Sequence, residues 1–217
     1  MRNIKLEDYL KNIYELLETR QKATTSFLAQ KMSLAPASVT EMVKRLANKG
    51  LVDYKPYAGV ELSTDGLAYA LQVVRKHRLW EMFLYKILNY SWDEIHQEAE
   101  MLEHLMSEKL EAKLDKMLGH PKFDPHGHPI PDKKGRIPKV VNNKPLAHLQ
   151  ELDEGNVIQV DDSDSQLLSY LTRLGIKLNQ KIHVKEKRSF DGSMLITVQN
   201  KDWNISRQVA EHIYISF

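Results

Sequence analysis

The stretch TTSFLAQKMSLAPASVTEMVKRLANKGLVDYKPYAGVEL, residues 24–62, decides how the chain is read. TTSFLAQKM predicts a short helix capped by Thr24 or Thr25, whose hydroxyl can accept from an otherwise orphaned backbone N–H. Ser33-Leu34-Ala35 is a tight turn. Pro36 suits the first turn of the next helix, which runs through Val39, Val43 and Leu46 to a C-terminal cap at Gly50. Leu51–Tyr54 and Val60–Leu62 read as two short strands, joined by the basic, glycine-containing tip Lys55-Pro56-Tyr57-Ala58-Gly59. Upstream, Leu6, Leu10, Ile13, Tyr14 and Leu17 keep helical spacing and give a first helix. Helix, turn, helix and hairpin within residues 1–63 describe a winged helix-turn-helix.

That arrangement implies nucleic-acid binding, because one helix fits the major groove and a basic hairpin tip can lie on the backbone or in the minor groove. Pro36, Ala37, Ser38, Thr40, Glu41, Lys44 and Arg45 avoid the apolar stripe of the third helix and so face outward. Ser38 and Thr40 can contact bases or phosphates, and Pro36 and Ala37 can pack on thymine methyls. Lys44, Arg45, Lys49 and Lys55 can neutralise phosphates. The face is only mildly basic, so a monomer should bind weakly, which argues for a homodimer on a two-fold double-stranded operator. The competing reading is a winged helix used for protein contacts.

Moving toward the C-terminus, Ser63, Thr64 and Asp65 offer caps for a long helix to about Leu88. Ser91-Trp92-Asp93-Glu94 has capping-box spacing and starts another helix, briefly broken near Ser107 and continued by Leu110, Leu114 and Leu118 to Gly119. Six of the eight prolines then lie between Pro121 and Pro145. Proline lacks a donor and resists helix, so this segment is a connector, and its length marks it as functional or mobile. A domain boundary falls near residue 140. Val157–Val160, Lys181–Glu186, Met194–Gln199 and Ile213–Ile215 read as strands, Asp191-Gly192 as a hairpin turn, and Leu167, Leu168, Leu171 and Leu174 as one amphipathic helix. The expected architecture is mainly α, in three parts. A winged helix-turn-helix (1–63) leads to a helical metal-binding and dimerisation domain with the proline-rich connector (64–140), and a small SH3-like β-barrel (141–217) follows.

Composition narrows the chemistry. The 217 residues hold nine histidines and no cysteine. Disulfide scaffolds, thiolate zinc sites, iron–sulfur clusters and cysteine nucleophiles are excluded, and any metal site must use nitrogen and oxygen donors, helped at most by a methionine thioether. No apolar run approaches the roughly 20 residues needed to span a bilayer, and the N-terminus does not read as a signal peptide. The expectation is a cytoplasmic protein with no membrane partner and no organic cofactor. The net charge of +2 conceals blocks: residues 77–118, where the histidines begin, carry five Lys/Arg against nine Asp/Glu.

Two segments in that acidic block carry the sharper signal. In HRLWE, His77 and Glu81 are four apart and share a helix face. In HQEAEMLEH, His96, Glu100, Glu103 and His104 form one stripe at helical spacing, beside the separate apolar stripe of Ile95, Ala99, Leu102 and Met106. Carboxylates and imidazoles crowded on one stripe repel or desolvate each other unless something positive joins them. A divalent cation does so, and these donors suit manganese, ferrous iron and zinc. A solvated polar face is the plainer alternative. A metallohydrolase would also use Glu beside His, but no His-Glu-x-x-His is present and the winged helix would be idle. A metal-independent winged-helix protein with structural histidines is the third reading.

LEDYLKNIYEL, ASVTEMVKRL with GLV, RKHRLWEMFL, YSWDEIHQEAEMLEH and LGHPKFDPHGHPIP together resemble the diphtheria-toxin-repressor family of metal-dependent regulators. The likeness is to the manganese-responsive branch with a C-terminal SH3-like (FeoA-like) domain. It covers residues 4–131 densely. The resemblance implies a primary metal site at Asp8, Glu100, Glu103 and His104, with His77 nearby. It implies a second at His77 or Glu81 with His96, extended by Asp164, with Asp161 or Asp162 behind it. It also implies connector ligands at His126 and Asp124, the latter standing where relatives often carry cysteine. Lys11 is a departure, since some manganese regulators have a carboxylate there. Iron-sensing relatives tend to show cysteine at the position of Glu100 and methionine at that of Asp8. Carboxylates at both are harder donors and favour Mn²⁺ over Fe²⁺. The implied function is a manganese-dependent repressor of metal-uptake genes, with an iron(II)-dependent repressor as the alternative. Metal would tie Asp8 to the downstream ligands and so fix the DNA-reading unit for binding. Its dimer interface would use the apolar stripes of the helices between about residues 92 and 118.

Overall fold

A computed structural model describes residues 4–19, 21–56, 58–140 and 142–216. Tyr57, at the expected hairpin tip, lies outside the described residues. The chain falls into two compact units: one of residues 1–77, 103–106 and 131–136, the other of 78–102, 107–130 and 137–217.

The first unit contains α1 (Ile4–Glu18), α2 (Thr25–Lys31), α3 (Pro36–Asn48), β1 (Val52–Lys55) and β2 (Gly59–Leu62), followed by the first half of α4 (Thr64–Lys86). Thr24 caps α2, its hydroxyl accepting from Phe27 N, and Pro36 opens α3. β1 and β2 pair antiparallel from Val52↔Leu62 to Lys55↔Gly59. The hairpin is tied back where Val60 N donates to Ala23 O at 2.8 Å. One core gathers Leu10 and Ile13 of α1, Leu28 of α2, Val39, Val43 and Leu46 of α3 and Val60 of β2. The apolar stripe of α3 is therefore spent inward, at 0 % exposure for all three of its core residues. This is the winged helix read from residues 24–62.

The second unit holds the end of α4, α5 (Ile95–Leu102), α6 (Glu108–Met117) and a six-stranded antiparallel sheet. The strands are β3 (Lys144–Pro145), β4 (Glu154–Val160), β5 (Lys181–Lys187), β6 (Met194–Val198), β7 (Lys201–Ile205) and β8 (Ile213–Ser216), in the order β3-β8-β4-β5-β6-β7. The helix α7 (Ser165–Leu174) joins β4 to β5, and α8 (Arg207–Glu211) joins β7 to β8. β3, β7 and α8 escaped the sequence reading. Leu168, Leu171 and Leu174 of α7 share a core with Val157, Ile182, Ile196 and Ile213 of the sheet and with Leu84, Trp92, Ile95 and Ala99.

One expectation needs correction. The helix carrying His96 to His104 is not continuous: α5 ends at Leu102, Glu103–Leu105 form a 3₁₀ turn, and Ser107 caps α6 by accepting from Leu110 N. A 3₁₀ turn advances three residues per turn rather than 3.6, so the four-residue stripe is broken. The connector is held in place at three points. Phe123 bridges Pro129, Val160 N donates to His126 O at 2.9 Å, and Trp92 Nε1 donates to Pro125 O at 2.9 Å. Gly127 (φ +94°) makes this close approach to β4 feasible, since a Cβ there would sit 2.1 Å from Ile158 O.

Candidate functional site

In the first unit, α1 presents Glu7, Asp8 and Lys11, α4 presents His77, and the 3₁₀ turn presents Glu103 and His104. Glu7 and Lys11 share a face of α1, being four residues apart. Lys11 is 1 % exposed and Glu103 0 %. Lys11 Nζ donates to both Glu103 oxygens, at 2.8 and 2.9 Å. His77 Nδ1 lies 2.6 Å from Glu103 Oε2. His104 Nδ1 lies 2.6 Å from Glu7 Oε2, and His104 Nε2 lies 2.8 Å from Asp8 Oδ1 and 3.4 Å from Glu103 Oε1. Tyr69 donates its hydroxyl to Glu7 at 3.1 Å. Ligand atoms of Asp8, Glu103 and His104 lie within 4.8 Å of one another. Of the four residues implied for the primary site, these three stand together. Glu100 belongs to the other unit, where its Oε1 is 3.5 Å from His96 Nε2.

The second unit assembles a second cluster from the end of α4, α5, the connector and the segment after β4. Glu81, 0 % exposed, places Oε1 3.4 Å from His96 Nδ1 and 3.9 Å from His126 Nδ1. Asp124 uses Oδ1 to accept from the backbone N–H of both His126 and His128 at 2.9 Å, which curls the connector around its own carboxylate. Its Oδ2 faces His128 Nδ1 at 3.4 Å and Arg78 Nε at 3.6 Å. Asp162 Oδ2 lies 3.6 Å from His126 Nδ1 and 3.5 Å from His128 Nδ1. His126 Nε2 is held 3.2 Å from Trp92 O, with the two rings 5.5 Å apart, so its Nδ1 is aimed at the cluster.

Asp124 Oδ2, His126 Nδ1 and His128 Nδ1 are buried and have no hydrogen-bond partner. Buried polar atoms are normally satisfied, and an orphan carries a desolvation cost. Three orphans that converge have a common remedy, a cation. Donors held at about 2.0–2.6 Å from one cation fall within about 5 Å of one another, and the ligand atoms of Asp124, His126 and His128, and of Glu81, His96 and Asp162, meet that spacing. The residues present therefore fit a divalent cation with nitrogen and oxygen donors. The electrostatics agree. Burial favours neutral His128, but the Asp162 and Asp124 carboxylates outweigh it and hold the imidazole's pKa up at about 10. Burial likewise opposes the charged form of Asp162, and His128 and His126 overcome it, leaving its pKa below the usual carboxylate value.

Asp164, the first choice for the barrel ligand, does something else. It is the N-cap of α7, accepting from Gln166 N at 2.8 Å. Its place in the cluster is taken by Asp162. His128 and Glu7 had no expected role, and Lys11 was noted only as a departure. For His128 a signal existed, since it repeats the histidine of His126 across a glycine.

The residues expected to face DNA lie where the α3 pattern put them. Pro36, Ala37, Ser38, Glu41, Lys44 and Arg45 are exposed, as is Lys55 at the end of β1. Thr40 is half-buried and donates its hydroxyl to Pro36 O at 2.8 Å. Among the described residues, no helix is long and apolar enough to cross a membrane.

Three family models match the chain in sequence: an iron-dependent repressor N-terminal DNA-binding domain over residues 3–60, an iron-dependent repressor metal-binding and dimerisation domain over 63–132, and a FeoA domain over 144–216. The iron-dependent repressor IdeR of Mycobacterium leprae is 32% identical over 205 residues, covering 88% of this chain and 87% of that protein. Among solved structures, a manganese-dependent transcriptional repressor in complex with manganese superposes with a TM-score of 0.90 at 36% identity, over 97% of this chain and 98% of that one. The manganese regulator SloR superposes with a TM-score of 0.79 at 39% identity, over 97% of each chain.

Proposed function

The chain belongs to the diphtheria-toxin-repressor family of iron-dependent repressors, metal-dependent transcriptional regulators that are not enzymes, and from that premise we propose that it is a cytoplasmic, manganese-responsive repressor of metal-uptake genes that binds its operator as a homodimer. The observation that carries this reading is the trio of orphaned atoms, Asp124 Oδ2, His126 Nδ1 and His128 Nδ1, beside Asp162. Two carboxylates and two imidazoles with no sulfur are hard to intermediate donors, and they suit manganese. Ferrous iron is the second reading, favoured by the identity to IdeR.

In this proposal the cluster of Glu81, His96, Asp124, His126, His128 and Asp162 holds metal, each of its two triads meeting the spacing by itself. Asp8, Glu103 and His104, with His77 and Glu7 behind them, hold another. A bound divalent cation supplies the positive charge that lets clustered carboxylates stay close. The chain's own residues do the rest. Asp8 sits on α1, so fastening Asp8 to Glu103 and His104 restrains a helix that shares its core with the DNA-reading helix. Pro36, Ala37, Ser38, Thr40 and Glu41 face bases, while Lys44, Arg45 and Lys55 neutralise phosphates. We read the C-terminal sheet as an SH3-like barrel, and the parts as 1–63, 64–140 and 141–217. Exposed apolar residues on or near the helices of the second unit, among them Ile87, Leu88, Met101, Leu110 and Met117, supply the dimer surface.

Fluorescence anisotropy on an operator duplex, titrated separately with Mn²⁺ and Fe²⁺, tests the proposal. Manganese should tighten binding by on the order of 10- to 100-fold, and Glu103→Ala should abolish that gain. Operator affinity indifferent to both metals would overturn the reading, and a response to iron alone would replace manganese with iron. Lys44→Ala or Lys55→Ala should weaken binding and reduce the slope of log affinity against log salt by about 1.

A further inference from the structure

The cluster of the first unit contains a positive charge of its own. Lys11 is buried, and its ammonium sits between both oxygens of Glu103 at 2.8 and 2.9 Å. Glu103 is wholly buried and also faces His77 Nδ1 at 2.6 Å. A buried ammonium is stable only when paired, and this pairing takes up both oxygens of a carboxylate that a cation would need. Glu7, Asp8 and Glu103 are carboxylates, Lys11 is the ammonium, and His77 and His104 are imidazoles. Among these groups the carboxylates outnumber the ammonium by two charges, which is the charge of one divalent cation.

We propose that Lys11 is a tethered counter-cation of this cluster, which restricts it to a single divalent ion and weakens its affinity for that ion by competing for Glu103. The inference rests on the reading that Asp8, Glu103 and His104 hold metal. A cation entering here must share or displace the ammonium at Glu103. Lys11 thereby sets the metal concentration at which the cluster fills, without itself being a ligand. Like charges brought together at buried sites repel far more than in water, so the effect is large for one residue.

The test uses the full chain carrying His126→Gln and Asp162→Asn, which disable the other cluster, with Mn²⁺ itself as the probe. Stoichiometry is read by equilibrium dialysis with elemental analysis, and affinity by calorimetry. The background chain should take up one Mn²⁺. Adding Lys11→Gln should tighten that site by on the order of tenfold or more, and Lys11→Glu, with four carboxylates and no ammonium, should take up two. If Lys11→Gln leaves the metal-free chain unfolded, circular dichroism should show Mn²⁺ restoring its helices. No uptake by the background chain overturns the metal reading of this cluster and this inference with it. Uptake of one ion with unchanged or weaker affinity in Lys11→Gln, uptake of two ions with Lys11 present, or no refolding at saturating Mn²⁺ overturns the role of Lys11 alone.

Discussion

The two acidic histidine clusters use the same kinds of side chain and differ in how their polar atoms are satisfied. In the cluster of α1, α4 and the 3₁₀ turn, both Glu103 oxygens, both His104 nitrogens and Asp8 Oδ1 are engaged by neighbouring protein groups. In the cluster built on the connector, Asp124 Oδ2, His126 Nδ1 and His128 Nδ1 are buried without hydrogen bonds. In one cluster Lys11 takes up both Glu103 oxygens at 2.8 and 2.9 Å, and in the other Arg78 stands off at 3.6 Å from Asp124 Oδ2. Carboxylates and imidazoles at helical spacing do not by themselves require a metal. What matters is how closely the fold brings a fixed cation to them.

The largest expected difference between the clusters appears without metal. Glu103→Gln keeps shape but strips Lys11 of its counter-charge, and breaking one side of a buried ion pair costs about 3–5 kcal/mol. Asp124→Asn keeps the Oδ1 that accepts from His126 and His128 N–H, and takes the charge from an oxygen 3.6 Å from Arg78 Nε and 3.4 Å from His128 Nδ1. These ion pairs are longer than that of Lys11 with Glu103, so its cost to metal-free stability should be the smaller of the two. Thermal or urea melts of the two isosteric variants, in chelator, compare the clusters directly. Equal losses would erase the distinction drawn between them.

A second contrast appears when metal is added. A cation that binds the folded chain alone, at about 100 times its dissociation constant, raises stability by about 2.7 kcal/mol. Mn²⁺ should raise the melting temperature of the wild-type chain, and a chelator should reverse it. Asp162→Asn should remove most of that increment while Glu103→Gln retains a larger share of it, because the connector cluster holds the unsatisfied donors. A shift that survives Asp162→Asn undiminished would move the tighter site to the other cluster.

What the sequence disclosed, and what it hid, follows the same line. Winged-helix elements are local, so the periodicity of Val39, Val43 and Leu46 and the caps at Thr24 and Pro36 could be read directly. β7 was missed because its turn is Gln199-Asn200, both at positive φ (+50° and +62°). That geometry suits a two-residue hairpin turn but lacks the glycine that announces one. The demand for a positive charge near Glu103 was legible, but its source was not. Lys11 lies 92 residues away in the chain, and no periodicity connects the two. The break at Leu102 was equally hidden, because residues 103–105 keep a helical composition while tightening into a 3₁₀ turn.

The smallest expected effect concerns two aspartates two residues apart. Asp164 looked like the ligand from the C-terminal segment, yet it stands three residues before the apolar-periodic run Leu167, Leu168 and Leu171, where an N-cap is expected. The structure uses it so, with its carboxylate accepting from Gln166 N. Asp162 instead faces His126 and His128. Asp164→Ala should therefore cost about 1 kcal/mol, the ordinary value of a lost cap, and leave Mn²⁺ affinity within about twofold of the wild type. The increment of stability that Mn²⁺ confers should be undiminished in this variant, since a cap and a ligand act through different terms. A loss of Mn²⁺ affinity in Asp164→Ala as large as in Asp162→Asn would return Asp164 to the ligand set. It would also mean that the start of α7 rearranges when the cation binds.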